Sequence, residues 1–174
     1  TYMNSNIQAF ISEDKDNYFA EQYQNLKKML FNLLDTPVKT TLHIGGTSHF
    51  NYVTEPILDI LVGVDNLHDI TALDEKRLNY EGFYRLHHSY KKKVIMAQFN
   101  NLIDLKQIAR LHIIQKDSNL YKAYIQTHHQ LSHDQHTATQ FGSKKLMLAN
   151  EVRSIRAYEN KKQQLFDSFS HTVN

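Results

Sequence analysis

The chain has 174 residues, which fits one domain spanning 1–174 that can bury its own core. Hydrophobic residues make up 41% and charged residues 22%, which excludes a disordered chain; with no cysteine, disulfides, thiolate catalysis and cysteine-based zinc sites are excluded as well. The formal net charge of +2 offers no basic stripe for nucleic acid, and no apolar run approaches the ~20 residues of a membrane span. No basic segment followed by an apolar core opens the sequence, so a cytoplasmic chain without nucleic-acid or membrane partners is expected.

Ser12 to Leu34 has helical spacing, with Phe19, Tyr23, Leu26, Leu30, Phe31 and Leu34 on one face and Ser12 or Asp14 as N-cap. Pro37 stops it by disfavouring helical dihedrals at the residue before. Val38 to Ile44 alternates and reads as a first strand; a Gly45-Gly46-Thr47-Ser48 turn follows, then a polar and aromatic loop. Ile57 to Val64 is apolar on both faces, hence a central strand. A short helix is expected within Leu67 to Asn79, extended chain at Tyr84 to His88, and strands at Val94 to Phe99 and Ile108 to Ile114. The cluster Lys91-Lys92-Lys93 reads as a solvated turn. From Asn119 the pattern is helical: Tyr121 to Leu131, Ala138 to Glu151 and Ile155 to Phe169, with Leu146, Ala149, Tyr158, Leu165, Phe166 and Phe169 as the apolar stripe of the tail. Strands in the middle and helices at both ends give an α+β (mixed α/β) fold.

Within the central strand sits an acid, Asp59. An ionised carboxylate is seldom buried without a partner, so it needs a reason. The turn upstream suggests one. Two glycines let the backbone approach a ligand and cradle a phosphate, and Thr47 and Ser48 add hydroxyl donors. A carboxylate on the next strand can hold Mg²⁺ that bridges phosphate oxygens. The same pattern is common in plain strand–turn–strand structure.

The wording His43-Ile44-Gly45-Gly46-Thr47-Ser48, followed at fixed spacing by Pro56-Ile57-Leu58-Asp59-Ile60-Leu61, resembles the GrpB family, whose turn reads His-Ile-Gly-Ser-Thr-Ser and whose strand reads Ile-Ile-Asp-Ile. Arg110-Leu111-His112-Ile113 is similar to that family's His-Leu-His-Val strand, and Tyr121 to His128 to its Phe-Arg-Asp-Tyr-Leu-Arg helix. Phe141, Lys145, Leu148 and Ala149, then Tyr158, Lys162 and Phe166, fit its closing helices. The resemblance implies a nucleotidyltransferase-like fold: a small mixed sheet, an N-terminal helix and a helical C-terminal half. It also implies a possible transferase moving a nucleoside monophosphate from a Mg²⁺-bound nucleoside triphosphate to an acceptor. Asp59 would be the catalytic metal ligand, and Gly45, Gly46, Thr47, Ser48, Arg110, His112, Lys145, Tyr158 and Lys162 the nucleotide- and phosphate-binding residues.

The chain departs from the family pattern: Gly46 replaces a serine, Glu55 a lysine, Ala123 an aspartate and Gln126 an arginine. Two-metal transfer needs a second carboxylate two residues along the strand, and that position is Leu61. Asp65 shares Asp59's parity, but six residues at ~3.3 Å put it about 20 Å away. Asp104 or Glu55 would have to supply the second ligand. A non-catalytic nucleotide- or anion-binding module, or an interaction domain with a vestigial pocket, therefore stands beside the enzyme. A histidine such as His112 on a central strand is more often a satisfied core residue than a ligand-binding one, and Lys145 and Lys162 read first as stems passing core aromatics. His129 and His133, at i and i+4 within the His128–His136 stretch, have metal-binding spacing but no glutamate between them, which fits a solvated helix end and loop.

Overall fold

A computed structural model describes residues 8–86, 91–151 and 155–173. Among these residues, five strands form one mixed sheet in the order β1-β2-β5-β4-β3, where β1 is Val38–Ile44, β2 Leu58–Val64, β3 Phe83–Arg85, β4 Lys93–Phe99 and β5 Gln107–Gln115. β1 and β2 are antiparallel, β2 and β5 parallel, and β4 antiparallel to both β5 and β3. Among the described residues there are also five α-helices: α1 Tyr18–Phe31, α2 Ala72–Tyr80, α3 Asn119–His133, α4 Gln135–Glu151 and α5 Ile155–Val173. The α+β expectation holds. Among the described residues no helix is long and apolar enough to cross a membrane.

Strand periodicity divides the core into two layers. Leu58, Ile60, Val62 and Val64 of β2, with Ala109, Leu111 and Ile113 of β5, pack with Phe19 and Leu30 of α1 and Leu78 of α2. On the other face Leu61 and Ile114 meet Ile44, Tyr121 and Tyr124, with Phe166 of α5 against them. The second face is the one that also carries Asp59, Arg110 and His112.

Several elements depart from the sequence expectation at their ends. The first helix begins at Tyr18 rather than Ser12, because Asp16 and Asn17 take left-handed dihedrals (φ 58° and 55°). Asp14 still caps it, accepting from the Phe19 and Ala20 N–H groups at 2.9 and 3.2 Å. It ends at Phe31, before a left-handed Asp35 (φ 50°), so Leu34 is 66% exposed instead of joining the stripe. The expected helix after β2 splits into a short 3-10 turn, Leu67–Asp69, and α2, whose start is fixed by a Thr71–Asp74 capping box. Lys93 is not in a solvated turn: it belongs to β4 and donates to the Tyr124 hydroxyl at 2.9 Å. His87, His88 and Tyr90 lie outside the described residues. The His128–His136 stretch is helical almost throughout. Asp134 alone separates α3 from α4, and the His129 and His133 rings stack with centroids 4.1 Å apart.

Candidate functional site

The β1–β2 connection positions one wall of the site. Gly45 has φ 77°, a left-handed value that favours glycine, and a Cβ there would meet Asp59 Oδ2 at 3.0 Å. A Cβ on Gly46 would meet the Thr54 side chain at 2.5 Å, so this turn has no room for the serine of the family pattern unless Thr54 moves. The turn closes on itself. Ser48 N–H donates to Gly45 O at 3.1 Å and its hydroxyl to the same oxygen at 2.6 Å; Phe50 N–H donates to Gly46 O at 2.7 Å. The Thr47 hydroxyl donates to Ile57 O at 3.2 Å, so the proton of its 3.0 Å contact with His43 comes from His43 Nε2. Both hydroxyls offered to a phosphate by the sequence thus have internal acceptors. Gly45 and Gly46, but neither Thr47 nor Ser48, line the cavity described next.

Between the second sheet face and the C-terminal helices lies a cavity of about 620 Å³. That volume lies in the small-molecule range. Asp59, Arg110 and His112 line its floor, Lys145 of α4 and Glu159 and Lys162 of α5 its far side, and Tyr52, Tyr124 and Phe141 supply aromatic surface. Parallel pairing sets Asp59 beside Arg110. Asp59 Oδ1 accepts from His112 Nε2 at 2.8 Å and lies 3.4 Å from Arg110 Nε, an ion pair without hydrogen-bond alignment. Arg110 Nη1 in turn donates to Glu159 Oε2 at 2.6 Å, and Lys162 Nζ stands 3.0 Å from the same oxygen.

Glu55 is the centre of the second half of the cluster. Only 3% exposed, it accepts from the Tyr158 hydroxyl and lies 3.4 Å from Lys145 Nζ and 3.3 Å from Lys162 Nζ. Lys145 also donates to Thr54 at 2.9 Å and passes over the Tyr52 ring at 5.4 Å. The charge reversal noted in the sequence is therefore a buried counter-ion for two lysines. Tyr158 takes part through its hydroxyl, although the tail pattern makes it an apolar stripe residue; Leu146 of that stripe is exposed. The side chain of Phe169 lies outside the described residues.

These contacts set the protonation states. Burial alone would raise Glu55, but Lys162, Lys145 and Tyr158 hold it at about 2. Burial would likewise raise Asp59, and Arg110 and His112 hold it well below the usual carboxylate range. Burial lowers His112 despite the Asp59 carboxylate. Burial brings His43 and His49 down to about 4. The site is thus built of ionised carboxylates and neutral imidazoles at neutral pH. Several buried polar atoms have no hydrogen-bond partner among the described residues: Arg110 Nη2, His112 Nδ1, His49 Nε2 and Gln107 Oε1. Each such atom costs roughly 1–3 kcal/mol.

The donor set does not fit Mg²⁺. Asp59 shares one oxygen with a guanidinium and an imidazole. Leu61, in the second acid's place, is fully buried in the apolar cluster of that same face. Asp65 and Asp104 are exposed, the latter bonded to Asn101 in the β4–β5 turn. Glu55 faces lysines. Among the described residues no group of three or more histidines or acids stands close enough to hold a metal, and this includes His129 and His133.

Of the residues singled out from sequence, Asp59, Arg110, His112, Lys145 and Lys162 come together on this cavity, with Tyr158 behind them. Sequence reasoning passed over Glu159, His49, Tyr52 and Gln107. Glu159 had a signal, since it precedes Lys162 by three residues on one helix face.

A charged cavity on one face of a five-stranded mixed sheet, roofed by C-terminal helices, defines a small α+β protein. The family model for GrpB protein matches residues 11–171, and the chain belongs to that family. It is 27% identical over 143 residues to the glutamate-rich protein GrpB of Alkalihalophilus pseudofirmus, covering 81% of this chain and 82% of that one. Its fold is similar to the crystal structure of conserved protein GrpB from Enterococcus faecalis, with a TM-score of 0.70 at 21% identity, over 94% of this chain and 97% of that one. A looser overlap, TM-score 0.48 at 15% identity, spans 77% of this chain and 40% of Cid1, an RNA terminal uridylyl transferase.

Proposed function

We propose that this chain is a non-catalytic binding module that takes a nucleotide-class small molecule into the cavity between the sheet and α3–α5. The observation that carries the reading is the state of Asp59. Its Oδ1 is shared by His112 and Arg110, and the strand position that would hold a second acid is Leu61. A carboxylate so placed can orient Arg110 and fix the His112 tautomer, while nucleotidyl transfer asks for paired acids that share metal ions. The cavity volume, its aromatic surface and its convergent polar groups support binding.

The test is a thermal-shift and calorimetric screen of nucleosides and nucleotides, with and without Mg²⁺, alongside an assay for pyrophosphate release. A raised midpoint that does not depend on Mg²⁺, without pyrophosphate release, is the expected result. Mg²⁺-dependent pyrophosphate release that Asp59→Asn abolishes would restore the transferase reading.

A further inference from the structure

Three carboxylates, Glu55, Asp59 and Glu159, stand against three cations, Arg110, Lys145 and Lys162. Each of these three cations has an acid within 3.4 Å, so none of the three is left over for a polyphosphate. Accessibility tilts the balance further. Asp59 and Glu159 keep 19% and 22% of their side chains exposed, whereas Arg110 and Lys145 keep 7% and 5%. With Glu55 at 3% and Lys162 at 17%, the two most exposed of the six charged side chains are acceptors, Asp59 and Glu159. Lys162 is held between Glu55 and Glu159.

Acceptors so placed select for N–H donors. Carboxylates recognise the exocyclic amino groups of nucleobases in this way. His112 adds to it. Its Nε2 faces an ionised carboxylate and so carries the proton, and the neutral ring leaves Nδ1 as an acceptor with no partner. Arg110 lines the same wall, and its Nη2 is enclosed without a hydrogen-bond partner among the described residues, so a ring nitrogen or carbonyl that reaches it satisfies a buried donor. Tyr52, Tyr124 and Phe141 give flat apolar surface against which a planar ring can lie.

We propose that the cavity reads the amino-bearing edge of an uncharged nucleobase through Asp59 and Glu159, with Arg110 on the neighbouring acceptor, and that the ligand's phosphates contribute nothing to its affinity. This rests on the binding reading above and names which part of the nucleotide is recognised.

The test is calorimetry on the full chain with guanosine, adenosine and cytidine, each compared with its triphosphate and with its N,N-dimethylamino analogue. At least one nucleoside is expected to bind as tightly as its triphosphate and to lose tenfold or more in affinity on dimethylation. Glu159→Gln should weaken that nucleoside while leaving the far-ultraviolet circular dichroism unchanged, and Asp59→Asn serves as the second variant if Glu159→Gln does not fold. A triphosphate binding tenfold more tightly than its nucleoside overturns this inference and leaves the binding module standing. Equal binding of the dimethylated analogue has the same consequence. If neither nucleosides nor nucleotides bind, both fall.

Discussion

Leu58 and Ile60 of β2 face one layer, and Asp59 between them faces the other. The first layer is held by burial alone: Ile60, Leu111, Val62 and Phe83 are all at or below 1% exposure and need no particular partner. The second joins an apolar cluster around Leu61 and Ile114 to a set of ion pairs, and each charge in it has a named counterpart drawn from a different element. Apolar packing tolerates exchange of one hydrocarbon for another of similar volume. A buried charge tolerates nothing of the kind, because removing either partner strands the other. The two faces should therefore fail in different ways.

The sharpest break is Glu55→Lys, which restores the family's residue and places a third ammonium between Lys145 and Lys162. We expect a loss of about 4 kcal/mol or more in urea unfolding. A stable Glu55→Lys protein would mean the cluster rearranges freely. On the opposite face, Ile60→Ala should cost about 3 kcal/mol through its cavity, by the same measurement and equally at pH 7 and pH 5.

Acid should act on both faces next, through His43, which pairs with Ile60 on the first, and through His49 and Glu55 on the second. His43 and His49 are held near 4 in the fold against 6.5 for the free group. The unfolded chain takes up those protons first, so their contribution is complete above about pH 6.5 and drains as pH falls toward 4. Glu55, near 2 in the fold against 4.5, contributes above about 4.5 and is lost as pH falls toward 2. Each of the three is worth at most a few kcal/mol, on the order of 1.4 for each pH unit of displacement before solvent screening is allowed for. An unfolding midpoint that stays flat from pH 7 to pH 4.5 would remove the histidines from this account. Smaller effects lie outside both layers. Thr71→Ala removes the capping box of α2 and should cost about 1 kcal/mol. Arg85→Ala removes a partly exposed pair with Glu75 and should cost less than about 1 kcal/mol, with most of it gone at high salt.

The same contrast explains what could be read from the sequence. β1 was legible to the residue, and β2, β4 and β5 to within one, because alternation and β-branching act locally. The family signature placed Asp59 on the strand after the Gly turn, and the helical spacing put Tyr158 and Lys162 on one face; both reach Glu55. What local pattern could not carry was pairing. Glu55 looks like an intrusion beside a phosphate site until α4 and α5 bring their lysines to it. Thr47 and Ser48 look like free donors until the turn's own carbonyls are located. The start of α1 was missed for a related reason, since two left-handed residues near Asp14 leave no periodic trace.

Glu55 finds its partners 90, 103 and 107 positions later, at Lys145, Tyr158 and Lys162. On a ribosome moving at about 5–20 residues per second, that interval is roughly 5–20 seconds. During it Glu55 can have emerged, together with β2, and remain in water with neither of its lysines yet made. The apolar layer can begin to assemble from α1, β1 and β2 alone, while the charged layer waits for the last helix. Synthesis order thus imposes a sequence on folding, with the pocket as its final act.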